Sequence, residues 1–313
     1  MILDRQTLCL LGGVLALLVV ASIIGAWLKV RVQSERARRV VDNLNARTRA
    51  WWVMALFFGS ALAMGRTALV VMFALMSFLA LREFITLTPT RRADHRGLFW
   101  AFFVILPLHY WTLGTAWYGL FVILIPVYAF LFIPMCNALA GDTEHFLERT
   151  AKTQWGLMVA VYCVSHAPAL LILNVRGVPQ GNARLLFFLV LIAQLSDVLQ
   201  YVWGKLCGRR PIAPKLSPNK TIEGLVGGGL STVAVGAALW WSTPFTPLQA
   251  AGLAAVIVVM GFFGGLVMSA IKRDRGVKDY GELIPGHGGV LDRIDSICFA
   301  APVFFHIVRW IWT

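Results

Sequence analysis

The chain has 313 residues, of which 58% are hydrophobic and only 14% are charged, and its mean hydropathy is +0.73. A water-soluble protein of this size could not cover so much apolar surface, so the composition excludes that class and predicts an all-α, polytopic membrane protein. The net charge of +13 is explained by membrane topology and attraction to anionic lipid, and nucleic-acid binding is not expected.

Apolar runs divide the chain into about ten predicted transmembrane segments, since a span needs roughly 20 residues. The segments are 8–28, 51–64, 67–85, 98–113, 117–135, 154–173, 184–203, 221–241, 248–271 and 296–312. The second is short, and only Gly65 and Arg66 separate it from the third. These two could instead form a tilted or re-entrant hairpin, which would lower the count.

Basic residues lie mainly in alternate loops. The segments 29–50, 82–97, 136–153, 204–220 and 272–295 hold 7, 4, 2, 5 and 5 Lys or Arg, which is 23 of the 28. Because such residues stay mostly on the cytoplasmic side, these five segments are predicted to be cytoplasmic and both termini to face away. The alternation also supports the number of spans.

The first apolar segment is predicted to be retained, because its positive flank follows it and a secretory signal has the opposite arrangement. The basic stretch from Lys29 to Arg49 is interpreted as a topology signal, with lipid binding as the alternative. The five cysteines have no C-x-x-C spacing, so neither a zinc site nor a disulfide framework is predicted.

Asp197 is the one acidic residue well inside an apolar run, roughly 10 Å before the end of its segment at 1.5 Å per residue. A carboxylate inside the membrane is costly without a partner and is a functional candidate by default. The alternative is a structural ion pair with a nearby Lys or Arg.

The loop 204–220 reads GKLCGRRPIAPKLSPNK and is rich in cations. Ser217 and Pro218 fit a helix start, with Pro at the first helical position, and a helix N-terminus surrounded by cations suits phosphate. The substrate-binding candidates here are Lys205, Lys215, Ser217 and Lys220. The glycines after Lys220 are predicted to permit close helix packing in lipid.

The densest group of ionisable residues is SAIKRDRGVKDYGELIPGHGGVLDRID, residues 269–295. Its cations Lys272, Arg273 and Lys278 could hold a triphosphate, and its carboxylates could hold a divalent cation. Asp292 and Asp295 stand three positions apart and so share a helix face. The alternative is that they only complement the helix dipole.

This stretch resembles the signature of the phosphatidate cytidylyltransferase family along its whole length. The matching residues are Ser269, Lys272, Arg273, Lys278, Asp279, Gly281, Pro285, His287, Gly288, Gly289, Asp292, Arg293 and Asp295. APKLSPNKTIEGLVGG and the run from Asp197 to Lys205 also resemble family landmarks, and LREFITL near Glu83 is a weaker likeness. The resemblance covers about residues 51–313 and leaves residues 1–50 as an added helix with a basic segment.

The chain departs from the family pattern at one notable position. Many bacterial members have an acidic residue where this chain has Gly265. The loss of one carboxylate leaves the number of metal ions open, and it suggests a divergent paralogue with an altered lipid substrate.

The resemblance implies that a phosphatidate-type lipid attacks CTP, with Mg²⁺ and room for a second cation. It implies catalytic roles for Ser269, Lys272, Arg273, Lys278, Asp279, His287 and Arg293, and metal ligands at Asp197, Asp292 and Asp295. It also implies a bacterial cytoplasmic (inner) membrane, with the site on the cytoplasmic side. Family members are commonly homodimers, although nothing in these residues requires it.

Two other functions stay open at the level of sequence. A CTP-dependent lipid kinase of the polyprenol or phytol type would release CDP instead of diphosphate. A transporter or non-catalytic scaffold would also be apolar and multi-spanning, but its polar groups should line a path through the membrane. Here they are predicted to gather at one face.

Overall fold

The computed structural model describes residues 4–32, 34–176, 182–281 and 288–313. Within these ranges the chain forms ten long helical segments and one short hairpin. The helices are α1 Arg5–Arg31, α2 Glu35–Met64, α3 Arg66–Thr86, α4 Arg92–Gly114, α5 Tyr118–Ala138, α6 Phe146–Ile172, α7 Asn182–Cys207, α8 Ile222–Ala238, α9 Pro247–Asp274 and α10 Leu291–Trp312. Strands β1 Pro211–Ala213 and β2 Ser217–Thr221 pair antiparallel between α7 and α8.

The predicted all-α polytopic architecture is confirmed. Eight of the helices in the described ranges are long and apolar enough to cross a membrane. The two that fall short are α2, of which only the second half is apolar, and α8, which has 17 residues. At 1.5 Å per residue α8 is about 26 Å long, slightly less than a hydrocarbon core of about 30 Å.

Helix α2 joins the basic segment to the second predicted span. It begins after Ser34 and continues without a break through residue 50 to Met64, so the predicted division between residues 50 and 51 falls inside a helix. Gly65 then turns the chain into α3 with a φ of 103°, a left-handed conformation that suits glycine.

The core lies where α3, α6, α7 and α10 pack together. Phe73, Phe188, Phe304 and Phe305 are among its largest fully buried side chains. Many Leu, Val, Phe and Trp side chains on the outer helices are exposed instead, including Leu17 and Phe103. Apolar side chains on the outside and inside together are expected of a bundle whose solvent is lipid.

Helices α7 and α8 pack closely through glycine, as the sequence predicted. A Cβ added at Gly228 would lie 2.4 Å from the backbone nitrogen of Gln200, and one at Gly227 would lie 2.7 Å from the ring of Trp203. The backbones of the two helices are therefore nearly in contact. This packing fixes α7, which carries Asp197, against the helix that follows Lys220.

We expect Gly228→Ala to lower the melting temperature of the purified protein in detergent, because the added methyl group would push the α7 backbone away. Gly252→Ala on α9 is the matched control, since nothing lies within 4 Å of its added Cβ. That control should be neutral or slightly stabilising, because alanine favours a helix. Equal melting temperatures for the two variants would contradict the close packing.

Candidate active site

Five helix ends meet at one end of the bundle. They are the C-terminal ends of α3, α7 and α9 and the N-terminal ends of α8 and α10. Contacts between these ends include those of Glu83 with Leu291, of Asp197 with Ser296 and of Gly204 with Gly224. Consecutive membrane helices run in opposite directions, so residues far apart in sequence reach the same end. Polar groups from five elements are thereby concentrated in one place.

Asp292 is a buried anchor within this region, with 8% of its surface exposed. Its Oδ1 accepts a hydrogen bond from Lys272 Nζ at 2.7 Å. Its Oδ2 accepts from the backbone N–H of Tyr280 at 2.7 Å and of Gly289 at 3.0 Å. The carboxylate therefore connects the end of α9, the following loop and the start of α10.

Glycine is required beside this carboxylate. Gly288 has a φ of 79°, and a Cβ there would lie 2.7 Å from Asp292 Oδ2. The glycines of the 269–295 motif thus allow the backbone to come close to Asp292. The group that this backbone approaches is thus a side chain of the chain itself.

Glu83 is a second anchor, and the sequence analysis assigned it no role. Its Oε1 accepts a hydrogen bond from Val290 N–H at 2.9 Å, and its Oε2 accepts one from Leu291 N–H at 2.8 Å. These amides belong to the first turn of α10, where backbone N–H groups have no partner within the helix. A carboxylate there also complements the helix dipole.

Asp197 and Asp295 form a pair of carboxylates next to these anchors. Ser296 Oγ donates a hydrogen bond to Asp197 Oδ2 at 2.9 Å, and Ser296 N–H donates to Asp295 Oδ1 at 2.8 Å. The two carboxylates interact electrostatically with each other and with Lys220. The intramembrane Asp197 of α7 is thus brought beside the signature residues of α10.

Lys220 supplies a cation that interacts electrostatically with both members of this pair. Its Nζ donates to the Phe262 carbonyl at 3.3 Å and lies 4.8 Å from the centre of the Phe262 ring. Burial lowers the pKa of Lys220, whereas the charges of Asp197 and Asp295 act to raise it. The ammonium group is therefore held between an apolar wall and two acidic groups.

Gly265, the position of the family departure, lies inside the same cluster. A Cβ at this position would lie 2.7 Å from Lys220 Nζ and 3.8 Å from Asp295 Oδ2. An acidic side chain there would have been a third carboxylate beside Asp197 and Asp295. The described residues contain no group of three His, Cys, Asp or Glu side chains able to hold a metal ion.

The remaining donors fit magnesium bound together with a nucleotide. Mg²⁺ in proteins commonly takes one or two carboxylates and completes its shell with substrate phosphates and water. Asp197 and Asp295 can provide the two carboxylates. Asp292 already accepts three hydrogen bonds, from Lys272, Tyr280 and Gly289, so it has less capacity left for its predicted role as a metal ligand.

The other predicted site residues differ in their contacts and in their exposure. Ser269 Oγ donates back to the Gly265 carbonyl at 2.6 Å, and Arg293 interacts electrostatically with Asp197. Arg273 donates to the Leu216 carbonyl at 3.3 Å and connects α9 to the hairpin. Exposed at the surface are Lys205, Lys215, Lys278 and Asp279. His287 lies outside the described residues.

The prediction that Ser217 begins a helix is wrong. Residues 217–221 form β2, and the helix begins only at Ile222. Thr221 is the N-cap, since its Oγ1 accepts a hydrogen bond from Gly224 N–H at 3.1 Å. Pairing of β2 with β1 keeps Ser217 extended, so the helix start moves to the next residue that can cap it.

Comparison with known proteins adds an independent result. The family model described as the cytidylyltransferase family matches residues 45–311. The uncharacterized protein YnbB of Escherichia coli K12 is 40% identical over 96% of this chain and 97% of its own length. A protein named phosphatidate cytidylyltransferase from Staphylococcus haemolyticus is 28% identical over 83% of this chain and 97% of its own.

We expect Lys272→Met to lower the free energy of unfolding by about 3 kcal/mol, because the buried Asp292 would lose its cation. The exposed Lys278→Met is the matched control and should cost less than about 0.5 kcal/mol. Denaturation in detergent, followed by tryptophan fluorescence, would measure both. If the two variants unfold at the same denaturant concentration, the ion pair does not hold the site together.

We expect Glu83→Gln to cost about 1 kcal/mol of stability, because an amide has only one acceptor oxygen for the two N–H groups of Val290 and Leu291. Glu35→Gln, at an exposed site in α2, serves as the control. Hydrogen exchange of residues 288–295 should increase in the first variant alone. Unchanged protection of this segment would rule out the Glu83 anchor.

Proposed function

Because this chain belongs to the cytidylyltransferase family, we propose that it transfers a cytidylyl group from CTP to phosphatidate, giving CDP-diacylglycerol and diphosphate. The observation that carries the proposal is the convergence of Asp197, Lys220 and Asp295, from three separate elements, beside the Lys272–Asp292 pair. Mixed carboxylates and cations at a helix-bundle end suit a nucleotide triphosphate with a divalent cation. The relatives named phosphatidate cytidylyltransferase support the choice of lipid.

In the proposed reaction an oxygen of the lipid phosphate attacks the α-phosphorus of CTP. A new P–O–P bond forms, the bond between the α-phosphorus and the bridging oxygen to the β-phosphorus breaks, and diphosphate leaves with the electron pair. The attacking phosphate is already ionised near neutral pH, so no general base is needed. Catalysis then depends on positioning and on neutralising charge.

Each part of the cluster has a role in this scheme. Asp197 and Asp295 would hold Mg²⁺, which would neutralise charge on the triphosphate. Lys220 lies beside these carboxylates and would contact a phosphate oxygen. Lys272 stays bound to Asp292 and fixes the start of α10, so its contribution is to keep Asp295 in place.

The exposed cations around the cluster would bind the rest of the nucleotide and the lipid headgroup. They are Lys205, Lys215, Arg273 and Lys278, and all four lie in segments predicted to face the cytoplasm. CTP is available in that compartment, so the proposed site faces the cytoplasm and both substrates reach it there. The protein accordingly belongs in the cytoplasmic membrane of a bacterium.

We test the function by incubating the purified protein with labelled CTP, Mg²⁺ and a panel of phospholipids, followed by product identification. CDP-diacylglycerol and diphosphate are expected, and chelation of Mg²⁺ should stop the reaction until the ion is restored. Phosphorylated lipid with CDP as the second product would establish a lipid kinase instead. No labelled product with any lipid, from protein that remains folded, would overturn the proposal.

The role of the carboxylate pair is tested by Asp295→Asn, which should lower kcat by about 100-fold, the scale of losing one preorganised electrostatic contact. Asp42→Asn is the matched control, because Asp42 is exposed and pairs with Lys29 in the N-terminal helices. It should retain full turnover. Wild-type turnover in Asp295→Asn would exclude Asp295 from the reaction.

A further inference from the structure

Two cations converge on one exposed aromatic ring at the edge of the proposed site. The guanidinium carbon of Arg47 lies 5.4 Å from the centre of the Tyr201 ring, and Lys205 Nζ lies 5.7 Å from the same centre. Tyr201 is 49% exposed. In the part of the chain that the structure describes, neither cation lies within ion-pair distance of an acidic side chain. Two like charges gathered at one point form a site for an anion.

The depth of this site indicates which anion it takes. Arg47 lies four residues before Trp51, where α2 becomes apolar, and Lys205 lies two residues after Trp203 near the end of α7. Tryptophan prefers the boundary between lipid and water, so both cations lie at the depth of lipid phosphate groups. Val198 and Val202, exposed on the neighbouring turns of α7, provide an apolar surface for an acyl chain.

The same face of α7 leads to the carboxylate pair. Asp197, Tyr201 and Lys205 are spaced four residues apart, so they lie on one side of the helix, with a rise of about 6 Å between successive members. A lipid whose headgroup lies at Tyr201 is therefore one helical turn away from Asp197. Arg47, the cation contributed by α2, lies on the side from which such a lipid would approach from the bilayer.

We propose that Arg47, Tyr201 and Lys205 bind the phosphate of the anionic lipid substrate as it enters from the bilayer along α7. Arg47 then gives the N-terminal helices a part in substrate binding. This inference rests on the proposed function for the identity of the lipid as substrate. It adds a specificity-determining position that lies outside the signature residues.

The proposal is tested first by lipid binding without CTP. The purified protein in phosphatidylcholine nanodiscs is titrated with fluorescent phosphatidate, and inorganic phosphate is added as a soluble competitor. Arg47→Gln and Lys205→Gln should each raise the Kd for phosphatidate about fivefold, the scale of one basic residue at a membrane surface. Tyr201→Phe should bind like the wild type because it keeps the ring, whereas Tyr201→Leu should bind more weakly.

Arg49→Gln is the matched control. Arg49 is exposed on α2 two residues from Arg47, and residues at that spacing face different directions. A Kd for Arg47→Gln equal to that of Arg49→Gln would overturn the proposal, as would competition by inorganic phosphate at concentrations similar to the lipid. Melting temperatures of all variants would show that they are folded.

Steady-state kinetics separates this inference from the proposed function. In an active protein, Arg47→Gln should raise the KM for phosphatidate more than it lowers kcat, whereas Arg49→Gln should change neither. Weaker lipid binding by the Arg47 variant in a protein without cytidylyl transfer would support the lipid site and refute the reaction. Cytidylyl transfer with an unchanged KM in Arg47→Gln would leave the reaction standing and refute the lipid site.

Discussion

The buried pair of Lys272 and Asp292 is the interaction on which the arrangement of the site depends. An ion pair removed from water is stabilising only when its remaining polar atoms are hydrogen bonded. Asp292 meets that condition through the backbone N–H groups of Tyr280 and Gly289. One carboxylate thus fixes the end of α9, the turn that follows and the start of α10, and the position of Asp295 follows from it.

Near this ion pair, some charged side chains stabilise the fold, and others are available to bind a substrate. Asp292 accepts three hydrogen bonds and Glu83 accepts two, all from groups within the protein. Asp197 and Asp295 share Ser296 as a hydrogen-bond donor and stand beside Lys220. The lone pairs that these two carboxylates retain can bind a cation, which makes the pair suitable for the proposed nucleotide chemistry.

Much of the fold could be predicted from sequence, because membrane helices follow from the length of apolar runs and the spacing of charges. The location of the candidate site could also be predicted, since Asp197 and the 269–295 segment combine ionisable residues with apolar surroundings. The sequence alone could not distinguish the role of Asp292 from that of Asp295, because both are acidic and share a helix face. Only tertiary contacts show that Asp292 accepts three hydrogen bonds from within the protein.

Two features of the structure were not predicted from the sequence. Glu83 stands 207 positions before its partner Val290, and a contact with backbone amides leaves no pattern of side chains at the other end. Ser217 carried a misleading signal, because Ser-Pro suits a helix start as well as an extended segment. Ser217 is extended because β2 pairs with β1, and a local sequence pattern carries no information about that pairing.

The contact of Glu83 with main-chain amides has a consequence for how this protein tolerates change. Any residue other than proline presents the same N–H group, so the anchor places no demand of its own on the side chains of Val290 and Leu291, which are constrained instead by their burial in the core. The constraint falls instead on Gly281 and Gly289, where an added Cβ would lie 3.0 Å and 2.3 Å from the Glu83 carboxylate. The anchor should therefore tolerate apolar exchanges at the two bonded positions that preserve their packing, but no added side chain at the two glycines.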